Sequence, residues 1–352
     1  MYDLLVLGDD PAGLATARRA ARHGLSVGLV CPPVDALQTS TFLSEALRDL
    51  VPELAVDVLR GAQHARRHAG AFSLGDLRQL LIPRVDYVAE TLFERFRSIG
   101  TDVFKGHARF LDERAVEVAG ENTAAILRAE NFVVATGAAF GTAQRSERLS
   151  GLVMTADQIL GTGQAPRRLI VVGADECAIE FAGLFAVSGS RVTLVDGSVA
   201  IETTDDSELD TLIDVAMAMG VNFQLGASVV GIDHVSGQSQ PLVDVHLDSG
   251  SRLRADRVLM TNKRLGRTRG LNLSAAGLVT DDCYRLWCDH QHRTWQHHIF
   301  GVGEVVGFAP RDLDPMAQAK AVVDAIVHSQ RVPAPLGIRR SLGASSIRIT
   351  RP

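Results

Sequence analysis

The sequence predicts an α/β fold built on two copies of one strand–turn–helix–strand unit. Three observations predict it. Residues 2–30, YDLLVLGDDPAGLATARRAARHGLSVGLV, run from an apolar strand through a glycine turn and an amphipathic helix to a second apolar strand. Residues 167–196, RRLIVVGADECAIEFAGLFAVSGSRVTLVD, repeat that order. Two further strand-length runs, FVVATGA (132–138) and HHIFGVGEV (297–305), stand between and after the copies. Continuous apolar runs bounded by glycine read as strands buried on both faces of a parallel sheet.

The turns carry more specific information. A G-x-G-x-x-G/A spacing between strand and helix belongs to Rossmann-like dinucleotide-binding units. The first glycine makes the tight turn, the second lets a pyrophosphate approach the backbone, and the third packs helix on strand. This chain has Gly8, Asp10 and Gly13 in the first copy and Gly173, Asp175 and Ala178 in the second. The central glycine is aspartate both times. The N–H groups that open a helix attract anions, so an added carboxylate competes with the phosphates for them. Two like charges ~4 Å apart repel by roughly 4 kcal/mol at an effective dielectric near 20. Aspartate is also a good residue to cap a helix start.

The elements follow in order. The helix from about Pro11 to His23 puts Leu14, Ala17 and Ala21 on one face and Arg18, Arg19 and Arg22 on the other, and Gly24 closes it. The next strand would end in an acid for the ribose, but Cys31 stands there, followed by two prolines. A helix is expected near 39–54 and a longer one over 73–98, interrupted by Pro83. Residues 101–118 alternate as short strands. In the second copy the helix covers about 176–188, and its closing strand ends in Asp196, the acid suited to a ribose 2′-OH and to NAD over NADP. Helices are expected again near 207–219 and 313–329.

Composition bounds the alternatives. The chain has 352 residues, 46% hydrophobic and 22% charged, which suits two globular domains. A net charge of −5 argues against nucleic acid as a partner. No apolar run reaches membrane-spanning length and no leader is read at the N-terminus, so a cytoplasmic, non-membrane setting is expected. Four cysteines are too few for a disulfide scaffold. Cys283 and Cys288, with His290, His292, His297 and His298 nearby, lack the spacing of a structural zinc site, so no metal is assigned.

The ordered set of two nucleotide units, the ATG strand and the G-x-G-[DE] strand resembles the FAD-dependent pyridine nucleotide-disulfide oxidoreductases. SEALR (44–48), ERFRSIGTDVFKGHARFLDE (94–113) and GVGEVVGFAPRDLDPMAQAKAVVDAIV (301–327) carry the resemblance. Within that family the chain is most similar to the soluble NAD(P)+ transhydrogenases. The resemblance implies a discontinuous FAD-binding-like domain, 1–151 and 272–335, with an NAD(P)-binding-like domain, 152–271, inserted. Residues 336–352 are then a tail, and the family's C-terminal interface domain is expected to be absent, which leaves the dimer open. It also implies FAD, NAD(P) and nicotinamide nucleotides as partners, with hydride passing between nucleotides through the flavin. Gly8, Asp10, Gly13, Cys31, Thr136, Gly137, Gly303 and Glu304 would form the FAD-like site. Gly173, Asp175, Ala178, Asp196 and Arg264 would form the NAD-like site.

Against the family pattern, Asp10 and Asp175 replace glycines, Cys31 replaces the ribose acid, Glu304 replaces an aspartate, and Lys263 replaces a loop glycine. Glu45 stands where the family has a lysine that pairs with the counterpart of Glu180, so the resemblance implies glutamate opposite glutamate, with one of the two protonated or the pair moved apart. The cysteine-containing stretch before that helix is shortened to VDALQTST (34–41), with no redox disulfide. The reading is therefore a transhydrogenase-type flavoprotein with impaired cofactor binding; the alternative is a catalytically inactive relative, a pseudoenzyme serving as a binding or scaffold protein.

Overall fold

The apolar runs do form parallel sheets, and each glycine turn sits at the carboxyl end of its sheet's central strand. The structure is a computed structural model; it describes every residue except 34–39, 65–73, 121–123, 141–148, 163, 200, 202–206, 237–239, 262–263, 309–313 and 332–352. The shortened stretch at 34–39, Lys263 and the tail at 336–352 thus lie outside the described residues.

The chain opens with β1 (Tyr2–Leu7), α1 (Pro11–Arg22) and β2 (Val27–Cys31), followed by the long helices α2 (Thr41–His64) and α3 (Leu74–Ser98). Then come β3 (Asp102–Lys105), β4 (His107–Asp112), β5 (Ala115–Ala119), β6 (Ala124–Val134) and β7 (Ala138–Phe140). The second copy comprises β8 (Val153–Thr155), α4 (Ala156–Leu160), β9 (Arg168–Val172), α5 (Glu176–Val187), β10 (Arg191–Asp196), α6 (Ser207–Ala218) and β11 (Asn222–Leu225). Strands β12 (Val229–Val235), β13 (Leu242–Leu247) and β14 (Arg252–Ala255) make an antiparallel sheet, and β15 (Arg257–Met260) returns to the second parallel sheet. Short strands β16 (Arg264–Gly266), β17 (Leu286–Trp287), β18 (Ile299–Gly301) and β19 (Val306–Phe308) lead to α7 (Pro315–Arg331).

The first sheet has the parallel order β3-β2-β1-β6, with β18 parallel on the far side of β6. The early part of β6 leaves that sheet to pair antiparallel with β5. The second sheet, β11-β10-β9-β15-β8, is parallel throughout. The alternation within β1 divides the core: Leu4 and Val6 face the helical layer, and Leu5 and Leu7 face Phe110 and Phe132. Helix α1 packs on α7, while α2 packs on α5 and α6, which joins the two parallel sheets through one apolar cluster.

Two elements differ from the sequence expectation. The α2 helix continues to His64, ten residues past the expected end, and carries Pro52 within it. The run at 297–305 is a strand only over Ile299–Gly301; Gly303 takes φ +73° and starts a 3₁₀ turn through Val305. That turn aims the Glu304 N–H back toward the first glycine turn.

Candidate functional site

The first turn is built by close backbone approach. Gly8 has φ +117°, and a Cβ placed on it would fall 2.1 Å from the Ala135 carbonyl oxygen. A Cβ on Gly13 would fall 2.2 Å from that of Ala135, so α1 lies tight on the strand end. Asp10 is the N-cap of α1 with φ −59°. Its N–H donates to the Ala135 carbonyl at 3.1 Å. Its Oδ1 accepts from Ala12 N–H at 3.0 Å, and its Oδ2 accepts from Glu304 N–H at 3.2 Å. A Cβ on Gly303 would sit 2.0 Å from Asp10 Oδ1, so the carboxylate lies directly over the glycine's Cα. Gly137 borders the same carboxylate: its own Cβ would come 3.7 Å from Oδ2. Burial pushes the Asp10 carboxyl up to about 6, against the two N–H donors and with help from the Glu304 and Asp9 charges.

The second turn repeats the device. Asp175 caps α5, accepting from Ala178 N–H at 2.8 Å, and Ala178 is fully buried at the helix–strand contact. The other oxygen of Asp175 meets Arg264 Nη2 at 2.6 Å. Arg264 Nη1 in turn lies 3.5 Å from Glu304 Oε2. Arg264 therefore ties the cap of the second unit to the turn that receives the cap of the first. Asp196 ends β10, where its Oδ1 accepts from the N–H and hydroxyl of Ser198 at 2.8 and 2.6 Å.

Glu45 and Glu180 fall in different environments. Glu45 is exposed on α2, whereas Glu180 is buried at 2% exposure on α5. The helix brings Ser44 and Arg48 to Glu180 instead, one turn apart. Ser44 Oγ donates to Glu180 Oε1, and Arg48 Nε donates to the same oxygen at 3.3 Å. Arg48 Nη2 also holds Glu176 at 2.8 Å. Burial raises the Glu180 carboxyl to about 7 despite Ser44 and Arg48.

Cys31, which the sequence reads as inert packing, ends β2 with its Sγ 4.0 Å from the Gly8 carbonyl oxygen. It is fully buried in the layer under α1, with its thiol pushed up by burial. Strand alternation gives the opposite face to Val30 and Pro32, which line a cavity of about 510 Å³. Gly8, Asp9, Thr136, Ala108, Leu271, Arg267, Arg269 and Tyr284 complete much of its wall. Asp9, which sequence reasoning passed over, is 5% exposed, and its Oδ2 has no hydrogen-bond partner. The Thr136 hydroxyl is likewise buried without one. Only the juxtaposition of β1 with the distant residues 265–284 could have revealed that wall.

The cysteines are Cys31, Cys177, Cys283 and Cys288. All four are free thiols; burial pushes Cys177 well up and Cys288 to about 12. His292 is buried with Nδ1 3.2 Å from the Gly301 carbonyl oxygen, and His298 Nε2 lies 2.7 Å from that of Glu113. Among the described residues no three His, Cys, Asp or Glu groups converge as a metal site. Nor is any helix among them long and apolar enough to cross a membrane.

Two parallel sheets in series, each with a glycine turn opening a helix, define a dinucleotide-binding oxidoreductase scaffold. The chain belongs to the pyridine nucleotide-disulphide oxidoreductase family, whose profile matches residues 2–328. It is 29% identical over 325 residues to a soluble pyridine nucleotide transhydrogenase of Hahella chejuensis, covering 87% of this chain and 67% of that protein. A transhydrogenase of the same name from Marinobacter nauticus is 29% identical over 323 residues, covering 87% and 66%. The chain thus spans about two thirds of the length of these relatives. Among solved structures, LpdA of Mycobacterium tuberculosis matches with TM-score 0.64 at 21% identity, over 98% of this chain and 74% of its own. The HOCl-induced flavoprotein disulfide reductase RclA of Escherichia coli, as its Cu(II) complex, matches with TM-score 0.61 at 20% identity, over 93% and 71%. Those two likenesses concern the fold.

Family membership implies FAD and NAD(P) as cofactors. The first site, as it stands, does not fit a pyrophosphate. The N–H groups of Ala12 and Glu304 would serve a bound phosphate at this turn, and both already donate to Asp10. Gly303 leaves space at its Cα, and the same carboxylate fills it.

Proposed function

We propose that this chain is a transhydrogenase-type member of its family in which binding of FAD and NAD(P) is weakened by its own aspartates. One observation carries the reading: the Asp10 carboxylate occupies the N–H groups of Ala12 and Glu304 beside the first glycine turn. A bound dinucleotide must displace a carboxylate that bonds two amides, or lie beside its charge. The cytoplasm is the proposed compartment, and nicotinamide nucleotides are the proposed small-molecule partners. The discontinuous 1–151 and 272–335 unit and the inserted 152–271 unit are the proposed domains, each centred on one parallel sheet.

The visible spectrum of the purified protein tests this reading. The expected preparation is colourless or carries well under one flavin per chain, and titration with FAD shows dissociation constants above micromolar. A stoichiometric yellow protein would overturn it. In the second unit, Asp175→Gly is expected to tighten NADH binding about tenfold, read by nicotinamide fluorescence. That is about 1.4 kcal/mol, less than at Asp10, because Arg264 already offsets the Asp175 charge.

A second reading, a non-catalytic binding protein, is favoured by a different observation. The α2 helix presents an exposed Glu45 where the family pattern has a lysine, and the Ser44–Arg48–Glu180 cluster forms a structural tie between α2 and α5. Flavin-loaded protein that fails to oxidise NADH or NADPH would select that reading.

A further inference from the structure

We propose that Arg264 is an electrostatic latch between the two units, holding their glycine turns at a fixed spacing and opening when either of its carboxylate partners is neutralised. The latch rests on the two-unit division proposed above and on no bound nucleotide, so its failure leaves the weakened-cofactor reading standing.

The backbone puts Arg264 at the crossing between the units. Strand β7 follows β6 of the first sheet, and β16 follows β15 of the second. The two pair antiparallel, with Arg264 opposite Phe140. Both chain crossings are thus joined in one short two-stranded ribbon, and short connections of this kind are where hinge motions concentrate.

The Arg264 side chain spans that crossing. Its Nη2 lies 2.6 Å from Asp175 Oδ2, at the cap of α5. Its Nη1 lies 3.5 Å from Glu304 Oε2, in the turn after β18. The Glu304 N–H then donates to Asp10 Oδ2 at 3.2 Å, at the cap of α1. One line of charged and hydrogen-bonded groups therefore runs from the helix start of one unit to that of the other. A guanidinium can hold two carboxylates at once because its donors fan out in a plane. The Cys177 thiol, in the first turn of α5, feels the charges of Asp175, Arg264 and Glu304 together, so the three converge closely.

The two ion pairs are also open to solvent. Asp175 and Glu304 side chains are 37% and 48% exposed, so dissolved ions screen both. Half-exposed pairs are weak, which suits a contact that must open. The apolar packing of α2 on α5 joins the units elsewhere, so opening the latch turns them about that packing rather than parting them. Transfer between ligands held at the two turns depends on their spacing, and Arg264 sets it.

Hydrogen exchange of the purified, ligand-free chain tests the latch, read at residues 138–140 of the ribbon, which none of the substitutions touches. Asp175→Asn and Glu304→Gln are each expected to speed exchange there about threefold; asparagine keeps the helix cap. The double variant is expected to be no faster than either single one, because the two arms act in series and breaking one breaks the tie. Asp196→Asn removes the same charge from the same unit, at a carboxylate held by Ser198, and is expected to change nothing. Raising NaCl to about 0.5 M is expected to speed the unaltered chain equally and to leave the variants as they are. Additive effects of the two substitutions, an equal effect of Asp196→Asn, or exchange at 138–140 insensitive to both substitutions and to salt would each overturn the latch.

Discussion

Replacing Asp10 with glycine is expected to tighten FAD binding about 100-fold, close to 2.7 kcal/mol. The substitution removes a buried negative charge, frees the Ala12 and Glu304 amides, and restores a backbone surface that a phosphate can approach. Glycine replaces aspartate as an N-cap at a cost of only a few tenths of a kcal/mol, so the variant folds. Flavin fluorescence quenching measures the affinity directly. An unchanged dissociation constant would mean that Asp10 acts as a helix cap alone.

The same residue makes a pH prediction. Burial raises the Asp10 carboxyl from 3.8 to about 6 in the folded protein. The native state therefore holds this proton more tightly than the unfolded chain does. Stability linked to Asp10 is full below about pH 4 and is lost as pH rises through 6, by roughly 3 kcal/mol. Between pH 4 and pH 7 the unfolding free energy of Asp10→Gly, relative to the unaltered chain, should rise by about 2–3 kcal/mol in urea titrations. FAD affinity of the unaltered chain should also strengthen on going from pH 7.5 to 5.5, since protonation removes the competing charge. The neighbouring Asp9 and Glu304 carboxylates push in the same direction.

Arg48→Ala is expected to destabilise the chain by about 3 kcal/mol at pH 8. Arg48 binds Glu180, whose side chain is 3% exposed in the contact between α2 and α5. Removing one member of a buried pair leaves an uncompensated charge, at a cost of about 3–5 kcal/mol. Glu180 can escape part of that cost by keeping a proton, because burial already raises it from 4.5 to about 7. A raised carboxyl stabilises the fold below pH 4.5 and loses that contribution as pH rises toward 7. The penalty of Arg48→Ala should therefore shrink by at least half at pH 5.5. Adding Glu180→Gln should recover most of it at pH 8, since the amide carries no charge. A penalty independent of pH, or one untouched by Glu180→Gln, would remove Glu180 from the explanation.

The fold class was readable because it depends on local pattern. Apolar strand-length runs at β1, β6, β9 and β10, the positive-φ turns at Gly8 and Gly173, and the capping aspartates are all short-range features. The site was readable only in part. The motif spacing located Asp10 and Asp175, but the number of amides each carboxylate takes depends on strands far away in sequence. Glu45 illustrates the limit at one residue's resolution. The motif resemblance links positions 45 and 180, and only the packing of α2 on α5 shows Ser44 and Arg48 at the Glu180 carboxylate. Cys31 illustrates it on a strand, where a period of two exchanges the cavity face for the core face.

By itself, then, the sequence determined two glycine-turn units, their order, and an acid at each phosphate position. The tertiary structure decided what those acids do. It folded Gly303 over Asp10, set Arg264 between Asp175 and Glu304, and left Asp9 facing a cavity with one oxygen unmet. The reason is physical: a turn's conformation follows from a few adjacent residues, whereas the partner of a carboxylate is set by whichever distant backbone the sheets bring within about 3 Å.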